Sequence, residues 1–109
     1  IMMVILMQII PLENMNHAMN QNEIESQLIH FPTWSLENEK LTKSLKMKDF
    51  REAMSFLVKL SYEAEQRDHH PEIFNCYNRI DIALNTHSAG GKVTMKDFDL
   101  AAAIDAISC

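Results

Sequence analysis

The chain has 109 residues, of which 47% are hydrophobic and 23% are charged, and its formal net charge at pH 7 is −5. This length allows one domain with one core, and the composition is that of a folded globular protein rather than a disordered one. The acidic charge argues against nucleic-acid binding, because binding to phosphates requires a clustered basic face.

The first ten residues are almost entirely apolar. This stretch is too short to span a bilayer and lacks the basic start and the small-residue cleavage site of a secretory signal. It is either an additional edge strand or a tail derived from upstream coding sequence. We assign residues 1–19 to an N-terminal extension and residues 20–109 to the domain, and we expect no membrane association. Cys76 and Cys109 form no CxxC motif or disulfide framework, which predicts a reducing, cytoplasmic compartment.

Helix and strand signals alternate along the domain. Asn20 and Glu23 have the spacing of a capping box and predict a first helix, and alternating apolar residues then predict two short strands. These three elements are expected over residues 21–30, 33–37 and 40–45.

The clearest helical pattern covers residues 48–67, where apolar residues recur on one face. Phe56 and Leu60 fall about 100° from the centre of that stripe at 3.6 residues per turn. They form either a second apolar patch that contacts a partner or the margin of a wide core-facing stripe. The predicted stripe itself consists of Phe50, Ala53, Met54, Leu57, Val58, Ser61 and Ala64.

Two further strands and a helix complete the pattern. Strands are expected over residues 74–77 and 80–86, joined by a turn at Asn78-Arg79. In the second strand one face should carry Ile80, Ile82, Leu84 and Thr86, and the other should carry Asp81, Ala83, Asn85 and His87. Thr94 and Asp97 form a capping box for a last helix, whose predicted buried stripe is Phe98, Ala101, Ile104 and Ile107. Because the connections are short, we predict an α+β domain of order α-β-β-α-β-β-α, with a four-stranded antiparallel sheet and helices packed on one face.

The candidate functional residues are histidines and one carboxylate. Pro71 stiffens the chain after His69 and His70, which fixes where the two rings point, and His87 ends a strand. A surface histidine often has no role, so a functional assignment and a neutral one both stay open. Glu65, at the edge of the apolar stripe, is either a solvated acid or an anchor for a polar ligand beside the imidazoles.

Other familiar chemistries are poorly supported. The chain contains no GxSxG, P-loop or GxGxxG motif, and no HExxH or cysteine-rich metal spacing. Adjacent histidines on an extended segment tend to point apart, so we expect no metal site. Cys76 lies within an apolar strand and is predicted to be a buried structural thiol.

Several separate motifs resemble the pterin-4a-carbinolamine dehydratase family. The resemblance extends over about residues 21–107 and is dense over residues 63–101. Ile73 departs from the pattern, because some members have a pocket-lining Trp there, and the loop after His87 looks one residue longer than in animal members. The matching motifs are Glu63-Ala64-Glu65, His69-His70-Pro71-Glu72, Phe74-Asn75, Tyr77-Asn78-Arg79, Leu84, Thr86-His87, Ala89-Gly90-Gly91, Thr94, Lys96-Asp97 and Leu100-Ala101.

The resemblance implies a hydro-lyase that dehydrates 4a-hydroxytetrahydropterin to quinonoid dihydropterin and so recycles the cofactor of aromatic amino acid hydroxylases. It also implies a homodimer or homotetramer built by sheet extension and helix packing, with no metal or other cofactor. By position, His69, His70 and His87 would be the acid/base and binding imidazoles, and Glu65 would hold the pterin ring. The remaining substrate-binding residues that it predicts are Pro71, Asn85, Thr86 and Asp97.

The chemistry independently suits histidine. Loss of water from a carbinolamine requires a proton for the departing hydroxyl and removal of a proton from the ring nitrogen, and an imidazole with a reference pKa of about 6.5 can do either. The alternative is a non-catalytic interaction protein, because animal members also act as dimerisation cofactors of a homeodomain transcription factor. That function would use the helix surface around Phe56 and Leu60. Retention of all three histidines favours the enzyme.

Overall fold

The computed structural model describes residues 15–108. The order of the elements is the predicted α-β-β-α-β-β-α, with a short 3-10 helix between the last strand and the last helix. The apolar opening, residues 1–10, and Cys109 lie outside the described residues. Within residues 15–108, no helix is long and apolar enough to cross a membrane. The elements are α1 (Gln21–Leu28), β1 (Ser35–Glu37), β2 (Lys40–Lys46), α2 (Phe50–Gln66), β3 (Glu72–Cys76), β4 (Arg79–Leu84), the 3-10 helix (His87–Ala89) and α3 (Met95–Ile107).

The four strands form one antiparallel sheet in the order β1-β2-β4-β3, so that β1 and β3 are its edges. In the register of β3 with β4, Glu72 lies opposite Ala83. Counting back from Glu72 and forward from Ala83 brings residues 69–71 beside residues 84–86, because paired antiparallel strands run in opposite directions. The sheet therefore brings both histidine-containing segments to the same end.

The helices cover one face of the sheet. The alternation along the chain predicted that Ile80, Ile82, Leu84 and Thr86 share one face, and all four are buried. Both predicted capping boxes are present, one at Asn20 with Glu23 and one at Thr94 with Asp97. The core also contains the buried stripe of α3, namely Phe98, Ala101 and Ile104, with Ile107 partly buried against it.

The buried face of α2 differs from the predicted stripe. Phe56 and Leu60 are 4% and 0% exposed, whereas Phe50 and Val58 are 49% and 54% exposed. Ala53 and Ala64 complete the buried face at spacings of three and four residues. The hypothesis that Phe56 and Leu60 contact a partner is therefore wrong. Apolar residues occur on two faces of α2, and the predicted stripe combined parts of both.

The burial of Leu60 predicts a loss of stability when its side chain is shortened. Leu60→Ala should lower the free energy of unfolding by about 2–5 kcal/mol, because it leaves a cavity in the core. The matched change Lys59→Ala, at the exposed neighbouring position on the same helix, should stay within about 0.5 kcal/mol, as is usual for surface positions. Urea denaturation measures both values. Equal losses for the two variants would contradict the assignment of the faces.

Cys76 is exposed, which corrects the prediction of a buried thiol. It ends the edge strand β3, where it pairs with the exposed Arg79. An apolar run is typical of a buried strand, but four of the five residues of β3 are exposed. The reason is that β3 has a neighbouring strand on one side only.

Candidate functional site

A tight turn at the end of α2 sets the direction of His69. Asp68 adopts a left-handed conformation with φ of 49°. The N–H groups of Asp68 and His69 donate to the carbonyls of Glu65 and Ala64, each at 3.1 Å. These two bonds form a Schellman motif, with Asp68 in the position that glycine most often occupies. The turn reverses the chain so that the imidazole of His69 points back into the domain.

His69 is buried against a carboxylate. It is 8% exposed, and its Nε2 lies 2.6 Å from Oδ1 of Asp97, which is itself 0% exposed. Oδ2 of Asp97 accepts hydrogen bonds from the backbone N–H of Thr94 and from the hydroxyl of Thr86, both at 2.9 Å. The Thr86 and Thr94 hydroxyls are also 2.6 Å apart. Two donors and the His69 imidazole therefore surround this carboxylate, which makes its burial tolerable.

His70 points the other way and lies on the surface. Its Nε2 is 2.9 Å from Oε1 of Glu65, and the two side chains are 60% and 80% exposed. An exposed pair of this kind adds little to stability. The rings of adjacent histidines on an extended segment were expected to point apart, and they do. From the sequence we also expect both rings to face a pocket rather than the core. This is wrong for His69, because the turn after α2 directs that ring inward.

His87 begins the 3-10 helix, which Asn85 and Thr86 separate from the end of β4, and it is exposed. The loop folds around the backbone of Thr86, whose N–H donates to the carbonyl of Lys92 at 2.8 Å and whose carbonyl accepts from Gly91 at 3.1 Å. Gly90 and Gly91 have φ of 73° and 78°, a conformation in which side chains are strained. Asn85 holds the same loop through its Nδ2, which lies 3.2 Å from the carbonyl of Gly91.

The predicted site residues divide into a surface group and a buried group. Glu65, His70 and His87 are exposed, and Pro71 and Asn85 are half-buried. Thr86 and Asp97 are 2% and 0% exposed and lie behind His69 rather than on the surface. The contribution of the Thr94 hydroxyl was missed. The capping box identified Thr94, but nothing in the pattern showed that its hydroxyl bonds to Thr86.

Two further observations concern ligand sites. Among residues 15–108, no three or more His, Cys, Asp or Glu side chains are arranged to hold a metal ion. A groove of about 490 Å³ lies mainly on the face of the sheet that the helices leave open. Glu72, Phe74 and Asp81 are among the residues that line it, and none of the predicted site residues does.

Comparison with known proteins identifies related sequences. A sequence profile of the family described as Pterin 4 alpha carbinolamine dehydratase matches residues 17–107. A relative from Opitutus terrae is 44% identical over 90 residues, which cover 83% of this chain and 93% of its own. A relative from Sulfolobus acidocaldarius is 45% identical over 89 residues, which cover 82% of this chain and 97% of its own. Both are provisionally named pterin-4-alpha-carbinolamine dehydratases.

Two solved structures share the fold. A protein from Brucella melitensis, described as a transcriptional coactivator/pterin dehydratase, superposes with a TM-score of 0.81 at 37% identity. The match covers 85% of this chain and all of the other. A pterin dehydratase-like protein described as a RuBisCO assembly factor of the alpha-carboxysome gives a TM-score of 0.60 at 22% identity, over 70% of this chain and 89% of its own. At that identity the second match supports the fold alone.

Proposed function

The chain belongs to the pterin-4-alpha-carbinolamine dehydratase family, and from this premise we propose that it dehydrates 4a-hydroxytetrahydropterin to quinonoid dihydropterin. In this proposal it recycles the pterin cofactor of aromatic amino acid hydroxylases. The observation that carries the proposal is the convergence of the histidine segments at one end of the sheet. The register of β3 with β4 brings residues 69–71 beside the residues that lead to His87.

The proposed reaction needs two proton transfers and no redox step. The carbinol carbon loses its hydroxyl, which leaves as water after it gains a proton, and the adjacent ring nitrogen loses a proton. The imidazoles of His69, His70 and His87 are suited to both transfers near neutral pH. Glu65 would hold the pterin ring, because a carboxylate accepts hydrogen bonds from the N–H groups of an aminopyrimidine. Half-buried Pro71 and Asn85 would line the same site.

The test is the initial rate at which the purified full chain converts synthetic 4a-hydroxytetrahydropterin to the quinonoid product. Acid/base assistance should raise the rate above the spontaneous one by about 10²–10⁴. The acceleration should persist in the presence of a metal chelator, because we propose no metal or other cofactor. A rate equal to the spontaneous one would contradict the proposed function.

Glu65→Ala should mainly weaken binding of the substrate. Loss of a charge-assisted hydrogen bond of about 1.5–3 kcal/mol would raise KM by about 10–100-fold, with a smaller effect on kcat. Stability should change by no more than about 0.5 kcal/mol, since the side chain is 80% exposed. Steady-state kinetics measure KM and kcat separately. Glu25→Ala, which removes an exposed carboxylate on α1, is the matched control, and an unchanged KM for Glu65→Ala would reject the anchoring role.

We also propose that the chain forms a homodimer or homotetramer through the edge of β3 and the outer face of α2. The outer face carries Phe50, Val58 and Tyr62, which are 49%, 54% and 72% exposed. Light scattering should therefore give a mass of at least two subunits at micromolar concentration, and a monomer mass would contradict the proposal. Val58→Glu should lower the mass if the outer face of α2 is used and leave it unchanged if only the edge of β3 is used.

The second candidate function is that of a non-catalytic interaction protein. It is favoured by the description of the Brucella melitensis relative as a transcriptional coactivator as well as a pterin dehydratase. The surface for such a role would be the outer face of α2 rather than Phe56 and Leu60, which belong to the core.

A further inference from the structure

We infer that Asp97 is a positioning residue that keeps a proton on Nε2 of His69, so that His69 exchanges protons with a ligand through Nδ1. The inference deepens the proposed function, on which its kinetic part rests. It replaces the prediction that Asp97 contacts the substrate, because that side chain is 0% exposed.

The direction of each hydrogen bond in the network follows from its neighbours. The backbone N–H of Lys96 donates to the hydroxyl oxygen of Thr94 at 3.2 Å. The Thr94 hydroxyl is then free to donate its own hydrogen to Thr86 Oγ1 at 2.6 Å. Thr86 in turn donates to Oδ2 of Asp97 at 2.9 Å. In this series of hydrogen bonds each hydroxyl donates once and accepts once, and the series ends on the carboxylate of Asp97.

An ionised Asp97 acts only as an acceptor. Its Oδ2 receives two donors, the Thr86 hydroxyl and the backbone N–H of Thr94. A carboxylate in this setting is best satisfied by a third donor on Oδ1. The atom 2.6 Å from Oδ1 is Nε2 of His69, which must carry a hydrogen in order to donate. In a neutral ring this requires the tautomer with the hydrogen on Nε2. In a charged ring both nitrogens carry a hydrogen, so Nε2 can donate in that state as well.

The other ring nitrogen remains available. Within residues 15–108, every buried side-chain nitrogen or oxygen has a hydrogen-bond partner. Nε2 of His69 is bonded to Asp97, and Nδ1 bonds to no group in that part of the chain. Nδ1 must therefore be among the ring atoms that solvent reaches, even though the residue as a whole is 8% exposed. A proton can enter or leave His69 at this atom.

The geometry predicts a specific effect of Asp97→Asn. An amide has one accepting oxygen, and that oxygen should stay where two donors meet, toward Thr86 and the N–H of Thr94. The NH₂ group would then face Nε2 of His69 and donate to it. His69 would have to accept at Nε2 and carry its proton on Nδ1. The substitution should thus invert the tautomer while the capping acceptor of α3 is retained.

The test is a long-range ¹H–¹⁵N correlation spectrum of the imidazole nitrogens, recorded on the ¹⁵N-labelled full chain over about pH 6–8. The signals of His69 are identified by their loss in His69→Gln. In the parent, Nε2 should carry a hydrogen throughout this range. Asp97→Asn should move the proton to Nδ1, and the matched control Asp99→Asn, which lies on α3 and pairs with Arg67, should behave as the parent. A neutral parent ring protonated on Nδ1 would overturn the inference, and so would an unchanged tautomer in Asp97→Asn.

The parent spectrum decides the main point even if Asp97→Asn fails to fold. The kinetic part is separate: Asp97→Asn should lower kcat by about 10²-fold with little change in KM. A raised KM with an unchanged kcat would instead indicate direct contact with the substrate and would overturn the positioning role. If the parent chain does not dehydrate pterin at all, the proposed function fails, while the spectra still test the tautomer.

Discussion

Replacing Asp97 by alanine should lower the free energy of unfolding by about 3–5 kcal/mol, because the change removes the shared acceptor of a buried network. Three donors would lose their partner: the imidazole of His69, the hydroxyl of Thr86 and the backbone N–H of Thr94. The capping box at the start of α3 would also be lost. Urea denaturation followed by circular dichroism measures the loss.

The matched control is Asp99→Ala, two residues further along α3. Its carboxylate bonds to the Arg67 guanidinium at 2.9 Å and is 36% exposed. An exposed pair contributes no more than about 1 kcal/mol, so this variant should remain close to the parent. If Asp97→Ala were as stable as the control, the network would have no part in holding His69.

The double variant His69→Gln/His70→Ala should lose nearly all of the proposed dehydratase activity while it stays folded. Glutamine keeps an N–H donor directed at Asp97 but cannot titrate, whereas His69→Ala would leave the buried carboxylate without that donor. From the sequence alone we expect His69→Ala/His70→Ala to abolish catalysis while the fold survives. Because His69 is buried, that variant would instead lose stability together with activity, so the glutamine variant is the better test. Removal of two acid/base groups should lower the rate by about 10²–10⁴.

Single changes should be milder, because the remaining imidazoles can still transfer protons. We expect His70→Ala and His87→Ala each to weaken turnover or pterin binding. The control is His17→Ala/His30→Ala, which removes two exposed histidines with no proposed role. Initial rates over about pH 6–9 compare the variants, with circular dichroism to confirm folding. A folded double variant with the parental rate would end the histidine hypothesis and favour the interaction-protein alternative.

Local features of the fold could be predicted because they depend on neighbouring residues. Alternation identified the buried face of β4, and the spacing of Thr94 and Asp97 identified the start of α3. The turn at the end of α2 was not predicted, because aspartate indicates a left-handed conformation much more weakly than glycine does. The burial of His69 depends on that turn and was missed with it.

Contacts between distant residues could not be predicted. Asp97 and His69 are 28 positions apart, and only the pairing of β3 with β4 and the packing of α3 bring them together. The prediction of the buried face of α2 failed for a related reason. Val58 and Leu60 are both apolar, and only the position of the sheet decides which one is buried. Residue type and family resemblance identified the candidate histidines. They did not show which of them is hydrogen-bonded to a buried carboxylate.

The most direct test of the account is the initial rate of 4a-hydroxytetrahydropterin dehydration by the parent and by His69→Gln/His70→Ala, measured side by side against the spontaneous rate. We expect the parent to exceed the spontaneous rate by about 10²–10⁴ and the folded double variant to fall back close to it. Equal rates for the parent and the double variant would contradict this expectation, whether both match the spontaneous rate or both exceed it.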